Sequence, residues 1–261
     1  MGNTLSVAII TKNEEANLPR TLESVRWADE IVVVDCGSTD NTVEIAKDFG
    51  TKVLHEPWRG FGKQKNFAIE QCSSAWVLSL DADEEVTPEL ALEIRQLLAG
   101  TPSVEAYFIP RRNLFLGRWI KYGGYWPDPK LRLFRKGAAW FEERAVHETV
   151  QYSGNTSTLQ GSLIHHAYPT LNSYLGHMNR YSSLAAEQAI AKGKTSKGLP
   201  AFVWNVLLNP AATFLYNYFF RLGFLDGREG LLLHLYHSAY VSWKYAKAWQ
   251  KSSVGFSMKR S

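Results

Sequence analysis

The chain is poor in cysteine, and its cysteines are not spaced for a disulfide framework or a metal site. Among 261 residues only Cys36 and Cys72 occur, so we expect two reduced thiols in a cytoplasmic protein. The N-terminus lacks a charged segment followed by an apolar run, and no secretory signal is predicted. The dinucleotide fingerprint G-x-G-x-x-G and the phosphate loop G-x-x-x-x-G-K-[ST] are also absent, which argues against those two nucleotide sites.

Acidic and basic residues are distributed unevenly along the chain. Residues 1–100 hold 9 Lys+Arg and 17 Asp+Glu, whereas residues 101–261 hold 20 and 8. We interpret this as an acidic, metal-binding half and a basic half that faces phosphates or an anionic lipid surface. The sequence has no zinc knuckle, RNA-recognition signature or Lys/Arg block, so we expect no nucleic-acid partner.

Short apolar runs alternate with helical segments through the first hundred residues. Strands are predicted at 5–10, 31–34, 52–55 and 76–80, and a helix follows each of them. Continuous apolar strands separated by helices indicate a parallel sheet that is covered on both faces. In such α/β sheets, ligands bind beyond the carboxyl ends of the strands.

The fourth predicted strand ends in four carboxylates, the sequence Asp-Ala-Asp-Glu-Glu at residues 81–85. Burying unpaired charge is costly, so packing alone does not explain this cluster. Carboxylate oxygens at a strand end suit a hard divalent cation. The other interpretation is an acidic loop tip on the surface. Thr11 and Asp35 follow two other strands, so three polar loops are predicted to meet at one end of the sheet.

Three motifs in this region resemble those of the inverting family 2 glycosyltransferases of GT-A fold. They are Thr-x-Asn-Glu, Asp-x-Gly-Ser-x-Asp and Asp-x-Asp, at residues 11–14, 35–40 and 81–83. The resemblance covers residues 5–150 and implies an α/β GT-A fold, a Rossmann-like, mostly parallel sheet flanked by helices. It implies that Mg²⁺ or Mn²⁺ binds to Asp83 together with Asp81. The implied nucleotide-binding residues are Thr11, Asn13, Glu14, Asp35, Gly37, Ser38, Lys65 and Asp81.

Helix capping or turn formation is the other interpretation of Thr11 and Asp35. Inverting transfer also requires a base that takes the proton of the acceptor hydroxyl. Glu148 is our candidate, because Val-His-Glu at residues 146–148 resembles an element of bacterial lipopolysaccharide core β-glucosyltransferases. Many relatives use a Glu-Asp pair that is missing here, so Asp128 and then His147 are kept as alternatives.

Aromatic and basic residues in the second half are candidates for contacts with the acceptor or with phosphate. Trp126 lies in a glycine-rich loop that stacks on a sugar or packs on the core. Arg132 and Arg135 alternate with apolar residues on a predicted strand. Their side chains are expected either to face phosphates or to protect a solvated sheet edge. His165 and His166 are neighbours on a strand and point to opposite faces, so at most one reaches the site. His166 is our candidate.

The C-terminal third is predicted to be helical and to associate with membrane. Residues 199–220 contain no Asp, Glu, Lys or Arg, but prolines and asparagines favour two interfacial helical pieces over a membrane span. The last helix, 229–251, is rich in the aromatics and lysines typical of a membrane interface. The other interpretation is a helical subdomain that only packs on the core. We assign residues 1–170 to the catalytic domain (1–100 for nucleotide and metal, 101–170 for the acceptor), 171–251 to the helical region and 252–261 to a flexible tail.

The resemblance implies metal-dependent, inverting transfer of glucose from UDP-glucose to an inner-core heptose hydroxyl of lipopolysaccharide or lipooligosaccharide. The expected partners are a UDP-sugar, a lipid-linked or lipopolysaccharide core acceptor and a membrane surface. The expected location is peripheral, on the cytoplasmic face of a bacterial inner membrane. Two alternatives stay open: a transferase acting on polyprenyl phosphate or another glycolipid, and a non-catalytic sugar-nucleotide or membrane-binding protein.

Overall fold

The computed structural model describes residues 3–142 and 150–257. The chain forms two compact units, of which the first comprises Met1–Arg112 and Pro127–His166 and the second comprises Asn113–Trp126 and Ala167–Ser261. Residues 113–126, which we assigned to the catalytic domain, therefore group with the helical region.

The strands of the described residues are short. They are β1 (Leu5–Thr11), β2 (Glu30–Asp35), β3 (Lys52–His55), β4 (Trp76–Asp81), β5 (Glu84–Val86), β6 (Ala106–Ile109), β7 (Arg111–Phe115), β8 (Arg118–Trp119), β9 (Lys130–Arg135), β10 (Ala139–Phe141), β11 (Val150–Tyr152), β12 (Thr156–Thr158) and β13 (Leu163–Tyr168).

The described residues form eight α-helices, four in each unit. They are α1 (Leu18–Ser24), α2 (Thr42–Asp48), α3 (Phe61–Glu70), α4 (Pro88–Ala99), α5 (Leu171–Ala191), α6 (Leu199–Val203), α7 (Asn209–Leu215) and α8 (Gly227–Ser257).

The first unit is organised around a seven-stranded sheet with the order β12-β6-β9-β4-β1-β2-β3. Strand β1 pairs in parallel with β2 and with β4, and β2 pairs in parallel with β3. Thr11 is the register partner of Asp35, and Ile10 is the partner of Asp81. The carboxyl ends of these three strands therefore lie side by side, which confirms the predicted α/β fold and its meeting of polar loops.

Apolar side chains leave both faces of β1. Val7 and Ile9 belong to one buried cluster with residues of α1 and α4, and Ala8 and Ile10 belong to another that includes residues of α3. Successive residues of a strand point to opposite faces, so a run without polar interruption needs cover on both sides. The sheet is accordingly covered on both faces.

Strand β9 runs antiparallel between β4 and β6 in the interior of the sheet. The alternative that this strand is a solvated sheet edge is therefore wrong. A second pairing in the first unit is antiparallel between β5 and β13, with His165 opposite Glu84.

In the second unit, residues 199–220 form one helical run rather than two separate pieces. Two π-helical turns, Trp204–Leu208 and Tyr216–Phe220, follow α6 and α7 without a break. A proline inside a helix is unfavourable, because its ring clashes with the carbonyl of the residue four positions earlier. That carbonyl, of Val206 before Pro210, accepts a hydrogen bond from Ser242 Oγ at 2.8 Å. Pro210 is thus accommodated within the run.

Helix α8 continues to Ser257, beyond residue 251 where we ended it, so residues 252–257 are helical and not a flexible tail. Among the described helices, none combines the length and the apolar character that crossing a bilayer requires.

Candidate functional site

The loops after β1 and β2 are tied together by hydrogen bonds. Asn13, whose φ of 55° is left-handed, donates its main-chain N–H to Ser38 Oγ at 2.8 Å. Its side-chain oxygen accepts from the main-chain N–H of Thr39 at 2.8 Å. Asparagine tolerates this backbone conformation better than most residues do. These bonds hold the two motif loops as one surface.

Asp35 shapes the second loop. Its buried carboxylate accepts main-chain hydrogen bonds from Gly37 at 2.8 Å and Ser38 at 3.0 Å, and it also accepts from the Ser38 hydroxyl. Gly37 has a φ of 91°, a conformation that L side chains rarely adopt. The structure thus gives Asp35 the turn-forming contacts of the alternative interpretation, and its nucleoside contact stays a prediction.

Asp81 is held between two cations from different parts of the sequence. Its Oδ1 lies 2.7 Å from Lys65 Nζ of α3, and its Oδ2 lies 2.6 Å from Arg132 Nη2 of β9. Both basic side chains are buried. The structure therefore brings together three of the predicted site residues, and it engages both oxygens of Asp81 in ion pairs.

Glu84 is a buried acid that the sequence patterns did not single out. It is fully buried, and its Oε1 accepts hydrogen bonds from Arg111 Nη1 at 2.9 Å and Arg132 Nη2 at 2.7 Å. Its Oε2 accepts from the main-chain N–H of Asp81 at 3.1 Å. Glu84 therefore fixes the strand end that carries the Asp-x-Asp motif. The signal was its place in the acidic run, but its partners come from distant strands.

Asp128, our alternative base, is part of the same network. Its Oδ2 accepts from Arg111 Nε at 3.0 Å and Nη2 at 2.8 Å, and its Oδ1 lies 2.7 Å from Lys130 Nζ. Both arginine nitrogens donate to the same carboxylate oxygen, and hydrogen bonds between charged groups are stronger than neutral ones. The structure thus places Asp128 in ion pairs with two cations.

Asp83 faces a histidine rather than a second acid. Its Oδ2 lies 3.4 Å from His165 Nε2, whereas His166 Nε2 lies 2.9 Å from Glu85 Oε2. Our choice of His166 is therefore corrected, because it is His165 that points towards the Asp-x-Asp motif. The two rings diverge because neighbours on β13 face opposite sides.

The donor set around Asp83 fits a divalent cation that is shared with a substrate. In the part of the chain that the structure describes, no three or more His, Cys, Asp or Glu residues form a group that could hold a metal ion. Mg²⁺ is commonly bound by one or two carboxylates plus substrate phosphates. Asp83 supplies one such carboxylate, and the neighbouring His165 supplies an imidazole nitrogen 3.4 Å from it. The oxygens of Asp81, by contrast, are engaged by Lys65 and Arg132.

The charges at this end of the sheet shift the pKa values of the carboxyl groups. Burial opposes ionisation of Asp81, but Arg132 and Lys65 outweigh it and hold its pKa well below the usual range. Burial likewise opposes ionisation of Asp83, and His165 lowers its pKa overall. Burial raises the pKa of Glu14, against a hydrogen bond from Asn17 and with the help of the Asp83 charge. Asp81 and Asp83 therefore stay anionic, and their negative charges help to raise the pKa of Glu14.

Two predicted residues have other surroundings. Arg135 is exposed and pairs in register with Trp76, the first residue of β4. Because β9 is antiparallel to β4, Arg135 lies at the amino end of β4, about 16 Å from Asp81, and its assignment to this site is corrected. Trp126 belongs to the second unit, where its ring lies edge-to-face with Trp119 at 5.2 Å.

The predicted base lies outside the described residues, which end at 142 and resume at 150. Glu148 and His147 therefore stay predictions. Thr11 offers a different observation, since its buried hydroxyl has no hydrogen-bond partner among the described residues. An orphaned hydroxyl beside Asp35 and Asp81 is suited to a polar ligand, because a buried donor without a partner is costly.

A sequence model described as "Glycosyl transferase family 2" matches residues 6–153 of the chain. The match begins in β1 and ends just after β11, so it covers most of the first unit, including every residue of the acidic and basic network described above.

The chain is also similar to curated proteins over most of its length. It is 32% identical to the lipopolysaccharide core biosynthesis glycosyltransferase LpsC of Rhizobium meliloti, covering 96% of this chain and 93% of that protein. It is 34% identical to an uncharacterised glycosyltransferase of Rickettsia typhi, covering 87% and 80%. Among solved structures, glucosyl-3-phosphoglycerate synthase of Mycobacterium tuberculosis with Mn²⁺, UDP and glucosyl-3-phosphoglycerate is 25% identical, covering 43% of this chain and 45% of that chain with a TM-score of 0.36. That score is too low for any transfer of ligands.

We expect Glu84→Gln to destabilise the fold. The substitution keeps the shape but removes the charge that two buried arginines face, and breaking such a pair costs about 3 kcal/mol. Urea unfolding followed by circular dichroism measures the loss. Glu70→Gln, at an exposed position on α3, is the matched control and is expected to stay within about 0.5 kcal/mol of the unsubstituted protein. Equal unfolding free energies for the two variants would contradict the role of Glu84.

We also expect the effect of Asp81→Asn on stability to depend on pH. The pKa of Asp81 is lowered in the fold, so the folded protein binds fewer protons than the unfolded chain, and the stabilisation is lost as the pH falls. Near pH 7 the variant is less stable than the unsubstituted protein. From about pH 5 downwards the difference shrinks, because the unfolded carboxyl has a pKa of about 3.9. Urea unfolding at several pH values measures this, and a constant difference would contradict it.

Proposed function

Because the chain belongs to glycosyltransferase family 2, we propose that it transfers glucose from UDP-glucose to a heptose hydroxyl of the lipopolysaccharide inner core, with inversion and with a divalent metal. One observation carries the donor part of this proposal. Asp83 with His165, and Lys65 with Arg132 around Asp81, lie together where the parallel strands end.

This arrangement suits a nucleoside diphosphate with a bound cation. Carboxylates alone would repel a diphosphate, and a divalent cation bound by Asp83 and His165 would neutralise the charge on the leaving diphosphate. Lys65 and Arg132 keep two positive charges at the same strand end, and Asp81 orients both of them. The cation's identity, Mg²⁺ or Mn²⁺, stays open in this proposal.

Residues of the two motif loops would bind the nucleoside. Among residues 3–142 and 150–257 the Thr11 hydroxyl has no hydrogen-bond partner, and a ribose or base donor would supply one. Asp35 and Ser38 shape the adjoining loop. Binding the nucleoside here positions the sugar beyond the strand ends, which raises the rate by orienting the reacting atoms.

The base in this proposal is Glu148. A carboxylate near the acceptor hydroxyl takes its proton as the oxygen attacks the anomeric carbon opposite the diphosphate. Attack from that side inverts the configuration, so a β-linked product is expected from an α-linked donor. The step is balanced. The carboxylate takes the proton of the acceptor hydroxyl, the C–O bond to the acceptor forms, and the C–O bond to the diphosphate breaks with its electron pair leaving on the diphosphate.

Similarity to LpsC of Rhizobium meliloti over 96% of the chain supports a lipopolysaccharide core acceptor. Such an acceptor is lipid-linked, so we further propose that the protein is peripheral on the cytoplasmic face of a bacterial inner membrane. Transfer of labelled glucose to heptose-terminated lipopolysaccharide, but not to polyprenyl phosphate, would distinguish this acceptor from the glycolipid alternative.

We expect UDP to be released from one UDP-sugar in a panel, and only with Mg²⁺ or Mn²⁺ present. Slow hydrolysis to water requires no acceptor. Asp83→Asn should lower this release at least about 100-fold, because loss of a ligand to the cation weakens charge stabilisation by several kcal/mol. Addition of EDTA should abolish it. Coupled detection of UDP measures the rate.

Asp48→Asn is the matched control, because Asp48 is an exposed aspartate at the end of α2. It should keep the unsubstituted rate. Release that persists in Asp83→Asn would contradict the metal role of Asp83. Binding of UDP by calorimetry without release from any donor would favour the non-catalytic alternative instead.

A further inference from the structure

The second unit contains a cavity of about 590 Å³ between the loop after α5 and the helical run at 199–220. Its lining includes Lys194, Thr195 and Lys197 from the loop, and Trp204 and Asn205 from the helical run. Two lysines with hydroxyl and amide groups are the chemistry that recognises a phosphate. An indole in the same lining suits the amphipathic boundary of a lipid bilayer.

The loop that carries the lysines is fixed by hydrogen bonds. The main-chain N–H groups of Gly193 and Lys194 donate to the carbonyls of Ile190 at 2.9 Å and Ala189 at 2.8 Å, which ends α5. Ser196 is buried, and its Oγ accepts from Asn205 Nδ2 at 3.0 Å. The cavity is therefore built from the loop and the following helix together, and its lysines are presented on a fixed backbone.

The helical run beside the cavity exposes an apolar surface. Of the 19 exposed large hydrophobic side chains in the described residues, 11 lie between Leu199 and Leu225. Leu199 is 75% exposed and Phe220 is 78% exposed. So many exposed apolar side chains on one stretch of the chain mark an interaction site, whereas single exposed hydrophobics need no explanation.

Positive charge borders this apolar surface at both ends. Lys192, Lys194 and Lys197 precede it, Arg221 lies near its end and Arg228 follows it, all in exposed positions. Residues 192–251 contain eight Lys+Arg and two Asp+Glu. One of the two acids, Asp226, is buried and accepts main-chain hydrogen bonds from Lys121 and Tyr122.

Apolar side chains bordered by cations are complementary to an anionic bilayer, in which acyl chains adjoin phosphate groups. A second copy of the chain is a poorer occupant of this surface, because it brings the same excess of positive charge and like charges repel.

We propose that the cavity binds the phosphate of an anionic phospholipid, and that the apolar surface of residues 199–225 lies in the adjoining acyl layer. The proposal deepens the peripheral membrane location given under the proposed function, and it rests on that location but not on the transfer chemistry. The partner is therefore a lipid bilayer, and the group that the cavity recognises is the lipid phosphate.

The test measures binding of the full chain to vesicles of phosphatidylcholine and phosphatidylglycerol (3:1) by co-sedimentation. Lys194→Gln with Lys197→Gln should weaken binding about 30-fold, since each lysine near an anionic surface contributes roughly a fivefold factor. Lys192→Gln is the matched control. This exposed lysine precedes the cavity by two residues and does not line it, so the loss should be about fivefold or less.

The apolar surface is tested by Leu199→Ser with Phe220→Ser, and Leu92→Ser on α4 of the first unit is the control. Leu92 is 56% exposed but lies outside the proposed surface. The double variant should lose binding at least about tenfold, since two large apolar side chains no longer enter the acyl layer, while the control should bind normally. Circular dichroism verifies that helix content is kept.

Three outcomes would overturn the proposal: equal binding by the double-lysine variant and Lys192→Gln, equal binding to pure phosphatidylcholine vesicles, or a concentration-dependent dimer that the Leu199 and Phe220 substitutions dissociate, without vesicle binding. Hydrolysis of the UDP-sugar without vesicles is a separate readout. If the unsubstituted protein binds vesicles but releases no UDP, the proposed function fails and the lipid site stands.

Discussion

A carboxylate inside the fold needs a cation beside it, and this constraint organises the first unit. Asp81 ends the strand next to β1, and its two oxygens face Lys65 and Arg132. Those cations come from α3 and β9, so a helix and an antiparallel strand must pack where they do for the acid to stay ionised. Moving either element away would leave a charge poorly solvated, which is more costly than losing a surface pair.

The same constraint explains why the acids at residues 81–85 have two different kinds of partner. Glu84 turns inward and pairs with Arg111 and Arg132, so it serves the framework. Asp83, two residues from Asp81, turns instead towards His165. The two neighbouring acids have different surroundings, because Asp83 lies in the turn between β4 and β5 whereas Glu84 is the first residue of β5. Glu84 holds the strand end in place, and Asp83 is left facing His165.

The second unit follows a different physical principle. Its core includes a buried cluster in which Phe115 of β7 and Ile120 after β8 pack with Tyr174 of α5 and Leu233 of α8. Apolar area that this core does not bury is collected on residues 199–225. Two π-helical turns interrupt the regular helix there, and such turns change which residues share a face.

Apolar periodicity and strand-end motifs are local signals, and they were enough to predict the parallel α/β sheet, the meeting of three polar loops and the helical C-terminal region. The tertiary structure decided that β9 enters the sheet antiparallel between β4 and β6. That one pairing buries Arg132 beside Asp81 and carries Arg135 to the other end of the strand. The tertiary structure also determines that His165 faces Asp83. Strand direction and register depend on partners far apart in the chain, so no local pattern fixes which of two neighbouring side chains reaches the site.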